Sequence, residues 1–196
     1  MKGNREYRNF ATKISQKPEA ENNTPEYSVQ GRAVTFDSPT CLYEFDGVKY
    51  FEVIARGAFD NSDMSDVIFN YNHGGKVVAR LRNKTLQLAI TNDGLDMEAD
   101  LSGTVEGRNL FEEIQGGYVD RMSFSFSIAE SSYNNETRTR TILKVKKLYD
   151  VSAVDIPAYD ETSISARSFF EEEHSKEFQA LENANRRRLL IVKTLL

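Results

Sequence analysis

Apolar and polar positions alternate over much of the chain between residues 27 and 165, which is the pattern of β-strands that bury one face. Several of these runs occur in pairs around a short polar turn, so each pair predicts a β-hairpin. Asp46-Gly47 is the strongest turn signal because both residues tolerate a positive φ. The three predicted hairpins join residues 43–45 to 48–51 across 46–47, 86–90 to 95–99 across 91–94, and 123–128 to 141–145 across 133–135.

A helical spacing interrupts the strand pattern over residues 105–115. Thr104 is suited to cap the start of this helix, and Gly116-Gly117 is suited to end it. The apolar residues recur at the three- and four-residue intervals of one helix face. They are Leu110, Phe111 and Ile114.

The two ends of the chain differ from this central part. Residues 1–26 are polar and predict a loose arm, whereas residues 168–196 predict a helix with glutamates near its start and arginines near its end. The last eight residues of that helix are mostly apolar, and we expect them to dock on the domain or on a partner. The sequence therefore divides into an arm (1–26), a β-rich domain (27–167) and a C-terminal helix (168–196).

Composition and charge reduce the number of functional classes to which the protein could belong. The formal net charge is −5, which argues against a general nucleic-acid-binding protein. The single cysteine, Cys41, lies in a predicted turn and suits a reducing compartment. We expect no membrane segment, since no apolar run is long enough, and no metal or cofactor, since ligand clusters and phosphate-binding loops are absent from the sequence.

Three side chains could together perform nucleophilic catalysis. A serine hydroxyl needs an imidazole to accept its proton and a third group to orient that imidazole. His73 follows a predicted strand, Ser123 lies in an alternating strand, and Asp150 lies among apolar residues. Taken alone, the same residues also fit an exposed loop histidine, the polar face of a strand and an exposed strand carboxylate.

A longer set of segments favours the catalytic interpretation of these three residues over the structural one. The segments are 31–36, 52–59, 67–73, 93–95, 117–126 and 148–159. In this order and with these gaps they resemble the prohead serine proteases of tailed bacteriophages, over about residues 29–162. The resemblance implies that His73 and Ser123 are catalytic and that Asp150 is the third member of the triad.

That family is similar in fold to the herpesvirus capsid-maturation proteases. The resemblance therefore implies an α+β, mainly β chain, built as a compact β-barrel of largely antiparallel strands with flanking helices. The third member of the herpesvirus triad is a second histidine, but His174 lies outside the matching segments and is not given that role. Backbone N–H groups are expected to bind the oxyanion, and Arg121 or Arg80 could assist.

The resemblance also implies a substrate and a place of action. The expected substrate is the precursor of the major capsid protein or its scaffold-like segment, cleaved inside the assembling procapsid in the host cytoplasm. The resemblance also leaves a homo-oligomer open. We further expect that removing residues 171–196 leaves the domain folded but impairs incorporation into procapsids. Two alternatives stay open: a non-catalytic head or tail structural protein, and a generic serine esterase or amidase.

The predicted third hairpin raises a geometric difficulty. A tight turn at Asn134-Asn135 would pair Ser123 with a residue near Lys146, which leaves Asp150 beyond the site. A β-bulge or another strand pairing would be needed to bring Asp150 close. If Asp150 lies more than about 6 Å from the His73 ring, Asp155 is the next candidate.

Overall fold

The computed structural model describes residues 5–18, 26–155 and 164–194. Within them the chain forms ten strands and two helices, and it is mainly β, as predicted. The elements are β1 (Glu6–Gln16), β2 (Ser28–Thr35), β3 (Thr40–Phe45), β4 (Val48–Ile54), β5 (Ile68–Tyr71), β6 (Gly74–Arg80), β7 (Leu86–Ile90), β8 (Gly94–Asp100), α1 (Val105–Gln115), β9 (Arg121–Asn134), β10 (Thr139–Val154) and α2 (Ile164–Thr194).

All ten strands belong to one curled sheet. Its main path runs β3-β4-β10-β9-β1-β2-β8-β7, and β5 and β6 extend it beside β10. The sheet forms a half-barrel. Its end strands β3 and β7 do not pair with each other, so the described strands do not close the barrel that the resemblance implied.

The hairpin of β9 and β10 is the centre of this sheet. The two strands have 14 and 16 residues, and β10 pairs with β9 along one edge in antiparallel orientation. Along its other edge β10 pairs in parallel, first with β4 and then with β5. Because β5 ends beside the end of β10, the loop after β5 reaches the part of the hairpin that carries Ser123 and Asp150.

The core packs against both faces of β9. Ser123, Ser125 and Ser127 lie on one face of the strand by alternation, yet every residue from Met122 to Ser127 is buried. Phe124 and Phe126 stack with a ring-centroid distance of 4.9 Å. The serines therefore lie in an enclosed polar layer, where each hydroxyl needs a hydrogen-bond partner.

The local predictions from turn and cap residues are confirmed, apart from the exact position of the third turn. All three hairpins form, and Phe45 pairs with Val48 across the Asp46-Gly47 turn. Helix α1 spans the predicted residues, and the Thr104 side chain accepts a hydrogen bond from the Gly107 N–H at 2.9 Å. These features depend on residues close together in the chain, which is why sequence alone suffices for them.

The prediction of a loose arm over residues 1–26 is wrong for β1. This strand lies in the middle of the sheet, between β9 and β2. Its inward-pointing residues near the start are Glu6 and Arg8, which are buried as an ion pair rather than as apolar side chains. A hydropathy pattern does not reveal a strand whose buried face is charged.

Helix α2 begins at Ile164 and docks through its first turns. Phe170 is fully buried against Tyr43 and Tyr50, and the Tyr50 hydroxyl lies 2.7 Å from His174 Nδ1. Residues 179–188 are exposed. The expected docking of residues 189–196 falls outside the side chains that the structure describes. Neither helix in the described residues meets the length and hydropathy that a membrane span requires.

Candidate active site

His73 is presented by a tight turn between β5 and β6. Tyr71 pairs with Gly74, so Asn72 and His73 occupy the two central positions, and both have positive φ (47° and 55°). Asparagine tolerates this conformation, whereas a histidine there costs about 1 kcal/mol or more. The His73 N–H donates to Ser152 Oγ at 3.3 Å, which ties the turn to β10.

The imidazole of His73 lies between Ser123 and Asp150. Its Nε2 is hydrogen-bonded to Ser123 Oγ, and its Nδ1 lies 2.6 Å from Asp150 Oδ1. A carboxylate accepts the Nδ1 proton, which leaves the Nε2 lone pair free to accept the serine proton. This arrangement allows His73 to act as a general base toward Ser123.

Irregular pairing of β9 and β10 brings Asp150 to this position. The turn sits farther along than predicted, with Asn134 opposite Thr139. From there β9 advances eleven residues to Ser123 while β10 advances thirteen to Ser152, because the bulges give β10 a net excess of two residues. The prediction that Ser123 pairs with a residue near Lys146 is therefore wrong. Ser123 pairs with Ser152, and Asp150 pairs with Ser125.

Asp150 is completely buried, and both of its carboxylate oxygens accept hydrogen bonds. Its Oδ2 accepts hydrogen bonds from Ser125 and Arg5, and its Oδ1 contacts His73 and, at 3.0 Å, Ser152 Oγ. Burial by itself raises the pKa of Asp150, but the hydrogen bond and charge of His73, the Ser125 bond and the Arg5 charge outweigh it and hold that pKa below its usual value. Asp150 is therefore ionised at neutral pH.

Several residues that surround the three were not predicted. Ser125 and Ser152 lie two positions from Ser123 and Asp150 on their strands, so alternation could have placed them on the same face. Tyr7 packs edge-on against the His73 ring at 4.8 Å, and Arg5 bonds Asp150. Both lie in the segment interpreted as an arm, where no sequence signal marked them.

The other side chains considered for the triad or for oxyanion binding make their contacts with other groups. Asp155 accepts hydrogen bonds from the Tyr71 hydroxyl at 2.5 Å and the Asn72 amide at 3.1 Å, so it supports the turn that carries His73. Arg80 pairs with Asp66, Arg121 pairs with Asp120, and His174 packs on the aromatic cluster of β3, β4 and α2. Among the described residues no group of three metal-binding side chains occurs.

An open cleft of about 780 Å³ lies beside the turn that carries His73. Its lining includes Asn72, Gly74, Glu106 and Tyr118. Ser123 itself is 0% exposed: β1 pairs beside it in the sheet, and its hydroxyl contacts the Arg8 carbonyl oxygen and the His73 ring. The serine therefore has no access to solvent in this conformation.

A family model of caudovirus prohead serine proteases matches residues 13–177 of the chain. The chain belongs to this family. The match covers most of the chain and includes His73, Ser123 and Asp150. It identifies the protein as a bacteriophage serine protease of capsid maturation, a hydrolase. No curated protein and no solved structure matches the chain.

Proposed function

We propose that this prohead protease is an endopeptidase that works by Ser-His-Asp acyl transfer. The observation that carries the proposal is the His73 ring, which contacts Ser123 through one nitrogen and Asp150 through the other. Family membership supports a serine peptidase independently of this geometry.

In the first half of the reaction, Ser123 Oγ attacks the scissile carbonyl carbon while His73 Nε2 takes the hydroxyl proton. Asp150 holds the Nδ1 proton and stabilises the imidazolium. Collapse of the tetrahedral intermediate breaks the C–N bond, and His73 protonates the departing amine. Water then attacks the acyl-enzyme with His73 again as base, which releases the acid product and restores Ser123.

The substrate that we propose is the precursor of the major capsid protein or its scaffold-like segment. Cleavage would take place inside the assembling procapsid, in the cytoplasm of the bacterial host. The enzyme could act there as a monomer or as a homo-oligomer. A fold related to the herpesvirus capsid-maturation proteases remains part of the same proposal. Backbone N–H groups are proposed as oxyanion donors, where loss of one donor typically costs about 3 kcal/mol.

Co-expression with the capsid precursor tests this function. We expect a defined cut in the precursor, located by the masses of the fragments, and little turnover of p-nitrophenyl acetate. Ester hydrolysis with an intact precursor would favour a generic esterase. An uncleaved precursor and unreacted ester, with the chain retained in particles, would favour a structural head or tail protein.

A further inference from the structure

The first half of β1 covers the candidate nucleophile. Asn9 lies opposite Ser123 in the β1–β9 ladder, and the Arg8 carbonyl oxygen lies 2.9 Å from Ser123 Oγ. A hydroxyl carries one proton, so Ser123 donates either to this carbonyl or to His73 Nε2. In either case, a second peptide cannot reach a serine that is already covered.

The covering segment has the form of a bound peptide. Residues 6–10 pair with β9 as an extended antiparallel strand. Peptides commonly bind by adding a strand to a sheet edge, and removal of this segment would leave β9 as such an edge beside Ser123. The carbonyl that contacts the nucleophile belongs to Arg8, so Arg8 occupies the place of the residue before a scissile bond.

The side chain of Arg8 fills a buried pocket lined by Glu52 and Phe126. It is 1% exposed, and its guanidinium lies over the Phe126 ring at 5.4 Å. Its Nε and Nη2 donate to the two oxygens of Glu52 at 2.5 Å and 2.9 Å, and Glu52 is 0% exposed. This two-point pairing suits arginine and gives a neutral side chain nothing equivalent.

Departure of the segment removes Glu6 and Arg8 as a pair, and Arg140 Nη1 lies 3.6 Å from Glu52, which remains. Arg5 leaves with the segment, so Asp150 loses that cation and keeps its contacts with His73, Ser125 and Ser152. The β1–β9 register shifts between Phe10 and Lys13, and β1 then pairs with β2. The family match begins at residue 13, so the covering segment lies outside the matched region.

We propose that residues 5–10 occupy the peptide-binding edge of this protease as an internal substrate mimic, and that Glu52 selects a basic residue immediately before the scissile bond. The proposal rests on the proposed endopeptidase function. It assigns an extended peptide with a basic residue as the substrate class. It also makes displacement of the segment a condition for cleavage.

The first test uses the unchanged full-length chain and two synthetic peptides. One peptide has the sequence of residues 5–12, and the other carries Arg8→Leu in that sequence. We expect cleavage between Arg8 and Asn9, with kcat/KM about 10- to 100-fold higher for the arginine peptide, as for a charged hydrogen-bonded pair. Glu52→Gln should lower the ratio of the two values toward one. Equal values in the unchanged chain would overturn the selectivity.

The second test asks whether the segment blocks the site. Arg8→Ala in the full-length chain should raise kcat/KM for the residue 5–12 peptide by about tenfold, because the competent state becomes more populated. Lys13→Ala is the matched control, since its exposed side chain lies beyond the register shift. Equal rates for the two variants would overturn the blocking role. If Arg8→Ala does not fold, the peptide comparison on the unchanged chain still decides the selectivity.

Failure of this inference can be told from failure of the proposed function. A chain that cuts the capsid precursor through Ser123 but shows no arginine preference, or cuts neither peptide, overturns the inference alone. A Ser123→Ala chain that still cuts the precursor overturns the function itself.

Discussion

At the scale of single residues, Asp150 is the side chain that orients the His73 imidazole. It is the buried carboxylate that contacts the His73 ring, and three further groups hold it in place. Asp150→Asn should lower kcat by about 10⁴-fold, because an amide favours the wrong imidazole tautomer. The rate of capsid-precursor cleavage measures this.

The control for that change is Asp155→Asn, because Asp155 accepts hydrogen bonds from Tyr71 and Asn72 in the turn that carries His73. We expect it to keep most of the activity. The reverse order of effects would give the third role to Asp155.

Asp150 also predicts a pH dependence of stability. Its pKa in the folded chain is depressed below the unfolded value of about 3.9. The ionised group therefore stabilises the fold above that value, and the stabilisation disappears as the pH falls through the folded pKa. In urea unfolding, the difference in unfolding free energy between the unchanged chain and Asp150→Asn should be large at about pH 7 and smaller at about pH 3. A difference that stays constant or grows on acidification would contradict this.

Sequence could single out His73, Ser123 and Asp150, but not the way they meet. The family resemblance gave them their roles, and the scarcity of histidines left little choice of base. Their contact depends on the turn position and on bulges in β10 that local patterns do not specify. Arg5 could not be predicted at all, since its contact with Asp150 spans 145 positions in the chain.

At the scale of elements, short-range signals predicted the hairpins and α1, whereas β1 was missed. Hairpins and capped helices follow from neighbouring residues. Strand β1 is defined by pairing with β9 and β2 and by a buried ion pair. Those partners are distant in sequence, so its polar composition was interpreted as a loop.

Helix α2 offers a test with two truncations. Its first half carries Phe170, the His174–Tyr50 hydrogen bond and the Glu177–Arg138 ion pair at 3.1 Å, whereas residues 179–188 are exposed. Deleting residues 171–196 should lower Tm by about 5 °C and leave the site folded, and deleting 179–196 should lower it by less than about 2 °C. Thermal unfolding of both chains measures this.

Both truncated chains should also co-purify less with procapsids than the full chain. Undiminished packaging would remove the proposed targeting role of α2. Global unfolding of the chain that lacks 171–196 would show that the helix belongs to the core.

At the scale of the whole molecule, the half-barrel brings together groups that are far apart in sequence. Parallel pairing of β5 with β10 places the His73 turn next to the end of β10. Antiparallel pairing of β9 with β10 places Ser123 near Asp150. The same sheet places β1 beside the serine, with the Arg8 carbonyl oxygen against its hydroxyl. A chain that binds its own segment at the site can stay inactive until conditions in the assembling particle displace that segment.

Cleavage of the capsid precursor by Ser123→Ala is the most direct test of the central claim. Ser132→Ala is the matched control, because Ser132 lies on the same strand with an exposed side chain. Both variants should fold, and Ser123→Ala should unfold at a slightly lower urea concentration because a buried hydrogen bond is lost. We predict that Ser123→Ala loses activity by about 10⁶-fold, as nucleophile removal does in serine proteases, and that Ser132→Ala cleaves normally. Normal cleavage of the precursor by a folded Ser123→Ala chain would contradict the account.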